Sequence, residues 1–118
     1  MTTFLDDLDS SGDPQVCPAE LALRVMRGRW KLMILRELSG GVRRFSALQR
    51  SLAGVSHKVL TAQLRELEVD AVVWRRVFSE VPPRVEYGLT ERGQALLPVL
   101  DGLHAWGAAA PSGVEAGE

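Results

Sequence analysis

The chain has 118 residues, 46% of them hydrophobic, which suits one domain with one core. It holds no run of about 18 apolar residues for a membrane span, and its start, Met1-Thr2-Thr3-Phe4-Leu5-Asp6-Asp7, lacks the pattern of a secretory signal; a cytoplasmic protein is expected. The net charge of -1 conceals a polarity: all 14 Lys and Arg lie between Arg24 and Arg92, against seven acids in that span, and both ends are acidic.

Residues 1-16 read as an acidic flexible arm ending near Ser10-Ser11-Gly12-Asp13-Pro14. Pro18 stands where a first helical position falls, and Glu20 adds an acid to the first turn. Leu21, Ala22, Val25 and Met26 give this helix an apolar face, and Gly28 stops it. A second helix, about Trp30 to Leu38, is apolar nearly all round and belongs in the middle of the core. Gly40-Gly41 ends it. A third runs from about Phe45 to Leu52. After the turn Ala53-Gly54-Val55, Ser56 caps a fourth helix that reaches about Asp70. Two helices joined by a short turn containing Gly make a helix-turn-helix pattern.

Beyond Asp70 the period changes to two. Val73, Arg75 and Val77 alternate with Trp74, Arg76 and Phe78; Val85, Tyr87 and Leu89 alternate with Arg84, Glu86 and Gly88. These predict a β-hairpin, about 72-89, with a tip stiffened by Pro82-Pro83. Thr90 caps a last helix with Leu96, Leu100, Leu103 and Trp106 on one stripe, and Pro98 is expected to bend it or end its first part. Residues 108-118 read as a flexible tail. The predicted fold is mainly α: a winged helix-turn-helix domain over residues 17-107, with a two-stranded wing and extra N- and C-terminal helices.

A basic middle between acidic ends suits a polyanion partner, although an uneven solvated surface has the same composition. On the fourth helix Leu60, Leu64 and Leu67 share the core side. Lys58, Thr61, Ala62 and Arg65 lie opposite, with Ser56 and His57 at the N-terminal tip. In a helix-turn-helix the second helix presents such residues to the major groove of double-stranded DNA. Lys58 and Arg65 suit guanine or phosphate, and Thr61 suits a base edge or a thymine methyl. Arg75, Arg76 and Arg84 on the wing, and Arg43-Arg44 ahead of the third helix, are candidate phosphate contacts. Ser39 and Arg50 are weaker ones. An ordinary amphipathic surface helix would look the same without the wing beside it.

Cys17-Pro18, Gly28-Arg29-Trp30-Lys31, Ile34-Leu35-Arg36-Glu37-Leu38, Arg44-Phe45, Leu60-Thr61, Leu64-Arg65-Glu66-Leu67, Val81-Pro82-Pro83-Arg84-Val85-Glu86-Tyr87 and Leu89-Thr90 stand in an order that resembles the HxlR-type winged helix regulators of bacteria. The resemblance spans about 90 residues. It implies a homodimer built by the first and last helices and a roughly two-fold operator. The chain departs from the pattern at Ala71, where many members have glycine, and Trp74 is large for the start of a wing strand.

Cys17 is the single cysteine, so neither an intrachain disulfide nor a cysteine-cluster metal site is available. It stands just before a helix start, where amide groups favour a thiolate. The resemblance adds that some members sense oxidants or electrophiles through a cysteine at this position; a small apolar role is the plainer reading. No metal or cofactor is expected. His57 and His104 lack ligand spacing, and no His-Glu-x-x-His, phosphate-loop or Gly-x-Ser-x-Gly motif occurs. Catalysis is not expected. A winged helix used for protein or RNA contact is the remaining class; exposed stacking aromatics, which RNA favours, are missing from the candidate face. A small-molecule or oxidant effector is compatible with the pattern, and nothing in the residues identifies it.

Overall fold

A computed structural model describes residues 17-111; the predicted arm at 1-16 and most of the predicted tail lie outside them. The elements run α1 (Pro18–Val25), α2 (Arg29–Leu38), β1 (Arg43–Arg44), α3 (Phe45–Ser51), α4 (His57–Val69), β2 (Val73–Phe78), β3 (Arg84–Leu89) and α5 (Glu91–Ala108). The strands form one antiparallel sheet in the order β1-β3-β2. This winged helix has one more strand than the hairpin alone provides.

Local chemistry explains the boundaries. Pro18 opens α1, where its missing N–H costs nothing. The helix ends at Val25, before Gly28, which instead precedes α2 at φ 97°. Ser56 and Thr90 accept from the amides of Val59 and Gly93, each at 3.0 Å, caps worth about 1 kcal/mol apiece. At the end of α4 the Val72 amide donates to the Leu67 carbonyl and the Ala71 amide to the Glu68 carbonyl. This is a Schellman closure, and it puts Ala71 at φ 64°, a conformation that favours glycine.

Ile34, Leu35, Leu38, Leu48, Leu60, Leu64 and Leu67 are almost wholly buried and tie α2, α3 and α4 together. Burying each such side chain contributes about 1.5–3 kcal/mol. α2 is less enclosed than its composition predicts: Leu32 is 42% exposed. Pro98 does not end the last helix, which runs through it to Ala108. Pro98 sits on an exposed face, where water can satisfy the carbonyl its missing N–H leaves free. Leu96, Leu97 and Leu100 pack partly on the core, while Leu103 is 45% and Trp106 83% exposed.

Two glycines allow close approaches. A Cβ on Gly93 would stand 2.1 Å from the Val72 carbonyl oxygen, so only glycine lets α5 start this close to β2. A Cβ on Gly88 would stand 2.3 Å from the Trp74 ring, which lies over Gly88 across the β2–β3 pair. Trp74 thus fills the space that its strand partner leaves empty. Among the described residues no helix is long and apolar enough to cross a membrane, and no cluster of His, Cys, Asp and Glu is arranged to hold a metal ion.

Candidate nucleic-acid interface

The leucines at 60, 64 and 67 fasten one side of α4 to the core. At about 100° per residue, the opposite ridge carries Lys58, Ala62, Arg65 and Val69, all exposed. His57, Thr61 and Glu68 lie on the flank toward the wing. Ala62, Gln63, Glu66 and Asp70 form the other flank.

Between α4 and the wing runs a groove of about 720 Å³; Arg44, Thr61, Arg65, Arg75 and Arg84 line it. The sheet register accounts for Arg75 and not for Arg44, which reaches the groove from the edge strand β1. Arg43, Tyr87 and Arg75 form one cross-strand row, and Arg44, Glu86 and Arg76 the next. Successive residues of a strand point to opposite faces. Arg75 therefore turns toward α4, and its guanidinium acts on the Tyr87 phenol from the same side of the sheet. Arg76 is on the other face, across from Glu86, with its guanidinium 5.1 Å from the centre of the Trp74 ring. The sequence grouped Arg75 and Arg76 in one contact set; the pleat divides them.

Arg84 is less free than its place beside the tip suggests. Its Nη2 lies 3.1 Å from Glu80 Oε2 and its Nε 3.5 Å from Glu86 Oε2. The guanidinium also stacks 4.0 Å from the Phe78 ring centre. The Nε makes no hydrogen bond, so the Glu86 contact is charge proximity only. A phosphate reaching Arg84 has to displace carboxylates that already neutralise it. Arg43 is also diverted: its guanidinium leans over Gly40 at the end of α2. Ser39 spends its hydroxyl on the Arg36 carbonyl at 2.6 Å. Arg50, on α3, is exposed and does not line the groove.

At the tip of α4, the His57 ring centre lies 4.8 Å from that of Phe45, and Phe45 lies 6.4 Å from Tyr87. This aromatic chain joins α4, α3 and β3 beneath the groove. Burial pushes the Tyr87 phenol above 10, its ordinary value, and the Arg75 guanidinium partly opposes that rise.

One residue that sequence reasoning passed over holds the recognition helix in place. The Lys31 side chain is only 7% exposed and its Nζ stands 2.6 Å from Glu66 Oε1, linking α2 to α4. The signal available was a lysine inside an otherwise apolar helical run, which calls for a partner. Cys17 is half-buried at the N-cap of α1, with its carbonyl accepting from the Leu21 amide.

With this geometry in view, the comparisons with known proteins are consistent throughout. The model of the HxlR-like helix-turn-helix family matches residues 25–113. The HTH-type transcriptional regulator YtcD of Bacillus subtilis is 49% identical over 89 residues, covering 75% of this chain and 71% of that protein. The YtcD crystal structure superposes with a TM-score of 0.74, covering 79% of this chain and 95% of the other. The redox regulator HypR in its oxidized form gives 0.72 at 40% identity, over 81% of this chain and 99% of that one. The reduced form of the transcriptional regulator YodB from B. subtilis gives 0.74 at 33% identity, over 86% and 100%. The chain belongs to the HxlR-like helix-turn-helix family and is a transcriptional regulator of that type.

Proposed function

We propose that this regulator binds double-stranded operator DNA as a homodimer in the cytoplasm, with α4 in the major groove and the wing on the backbone or in the adjacent minor groove. The observation that carries the reading is the α4–wing groove: a ridge of small and polar side chains on a leucine-anchored helix, flanked by arginines. Lys58, Thr61 and Arg65 read base edges, with Ser56 and His57 at the tip. Arg44 and Arg75 meet phosphates from the groove, and Arg76 meets them from the outer face of the wing. Arg43 and Arg84 contribute less, because their guanidinium groups have other company.

The test is fluorescence anisotropy on duplexes from upstream of the protein's own gene, with random duplex as competitor. Tight binding that survives the competitor is expected. Arg65→Ala should lower the preference for the chosen duplex over random sequence by about 1–3 kcal/mol. Binding no tighter than to random duplex, under reducing and oxidising conditions alike, would favour a winged helix that contacts protein.

A second reading joins the first: modification of Cys17 alters DNA affinity. Two observations favour it. Cys17 stands half-buried against a helix N-terminus. Among the similar structures are a redox regulator in its oxidized form and a diamide-treated YodB. Diamide should then change operator affinity in the wild type and not in Cys17→Ser. Equal affinity with and without diamide would retire the idea.

A further inference from the structure

We propose that Arg24 and Arg27, at the junction of α1 and α2, form a second phosphate-binding rail that meets the DNA strand on the side of α4 away from the wing. The inference rests on the DNA-binding reading above and extends it to a surface that reading does not use.

An α-helix with its side chains is about 10–12 Å across, and the major groove is about 12 Å wide. A helix seated in it has a phosphate backbone along each flank. The wing covers one flank of α4. Along the other lies a cleft of about 770 Å³, with Arg24, Arg27 and Lys31 on one wall and Ala62, Gln63 and Glu66 on the other. α4 itself offers this cleft one cation, Arg65, which stands on the ridge and also lines the groove toward the wing; the rest of its wall is neutral or acidic.

Lys31 cannot serve, since its ammonium is buried against Glu66. That pair also cancels the Glu66 charge, leaving Asp70 as the remaining carboxylate lining the cleft. Arg24 and Arg27 are exposed and have no ion-pair partner among the described residues. The backbone that carries them is fixed. The Arg27 amide donates to the Arg24 carbonyl at 3.3 Å, and Gly28 at φ 97° turns the chain into α2 immediately afterwards. Two unneutralised arginines lining one cleft beside the recognition helix, one in the last turn of α1 and one just after it, suit a run of phosphates.

The experiment uses the full chain and anisotropy on two probes, a random duplex and duplexes from upstream of its gene, across salt from about 50 to 200 mM. For Arg24→Gln/Arg27→Gln the log–log salt slope should become shallower by about 1.8, so the affinity lost across that range shrinks by about twelvefold. The ratio of specific to random affinity should not change. Arg24→Lys/Arg27→Lys should keep the wild-type slope, and Gln63→Arg, which adds a cation to the facing wall, should steepen it by about 0.9. Unchanged slopes in the glutamine pair and in Gln63→Arg, with wild-type circular dichroism, overturn the proposal. So does a smaller mass by light scattering in the glutamine pair at an unchanged slope, which would assign the arginines to a subunit contact. A wild type that binds neither probe refutes the DNA reading itself, and this inference with it.

Discussion

The winged core and the last helix are built to different standards. From α2 to β3 the side chains interlock: seven residues across α2, α3 and α4 are 1% exposed or less, and backbone meets backbone at Gly93 with no room for a methyl group. α5 has 18 residues, of which only Gly93 is buried. Its outer half leaves Leu103 and Trp106 exposed, and Leu103 shares a cleft with Leu32 of α2 and Leu23 of α1, edged by Glu20, Arg24 and Arg27. The core is complete in one copy of the chain. The outer half of α5 is not, and exposed large apolar side chains of this kind are what a subunit contact buries. This supports the proposed homodimer and, within that proposal, favours a contact through α1, α2 and α5, away from the α4–wing groove.

The sharpest way to break the comparison is at the seam. Gly93→Ala should cost about 3 kcal/mol, because the obstacle is the Val72 carbonyl and not a side chain that can swing aside. Trp106→Ala, at the exposed end of the same helix, should change the stability of the isolated protomer by less than about 0.5 kcal/mol. Urea titrations at low protein concentration compare them directly. Equal losses would mean that the helix is one energetic unit.

A charge on the open face comes next. Leu103→Glu should weaken self-association by about 2 kcal/mol, roughly thirtyfold in Kd, while the far-ultraviolet spectrum stays that of the wild type. Sedimentation velocity over a concentration series decides this. Association that ignores Leu103→Glu would move the subunit contact elsewhere.

The smallest expected effect lies at the exposed turn that closes α4. Ala71 takes a left-handed conformation at φ 64°. Ala71→Gly should relieve about 0.5–1 kcal/mol after the entropy that glycine adds to the unfolded chain. A lower thermal midpoint in this variant would show that the Ala71 methyl group makes a compensating contact.

These features were unequally legible in the sequence. The helices were legible because apolar spacing, Ser56, Thr90 and the glycines agree with one another. Ala71 was legible as a departure from a glycine position, and the backbone supplies its meaning. The strand at Arg43–Arg44 was not: two residues are too few to show a period, and they become a strand only because Tyr87 and Glu86 pair with them. Leu32 read as core because its neighbours along α2 are core. The site was legible as a set of residues and not as an arrangement. Arg75 and Arg76 are adjacent in sequence, and the alternation that identified their strand also separates their faces. The competing partners of Arg84 and Arg43 depend on contacts that only the fold creates.

The short strand has a mechanical consequence. β1 runs directly into α3 and is hydrogen-bonded to β3, so Arg44 and Arg75 ride on one sheet on either side of β3. A wing attached only by its own hairpin would swing like a flap. This one works as a caliper with its jaws set. Deformation needed to match its spacing falls on the DNA, whose stiffness varies with sequence. If the proposed DNA contact holds, the regulator selects duplexes by compliance at steps that none of its side chains touch, and unequal affinity for operators altered only between the contacted bases is the expected sign.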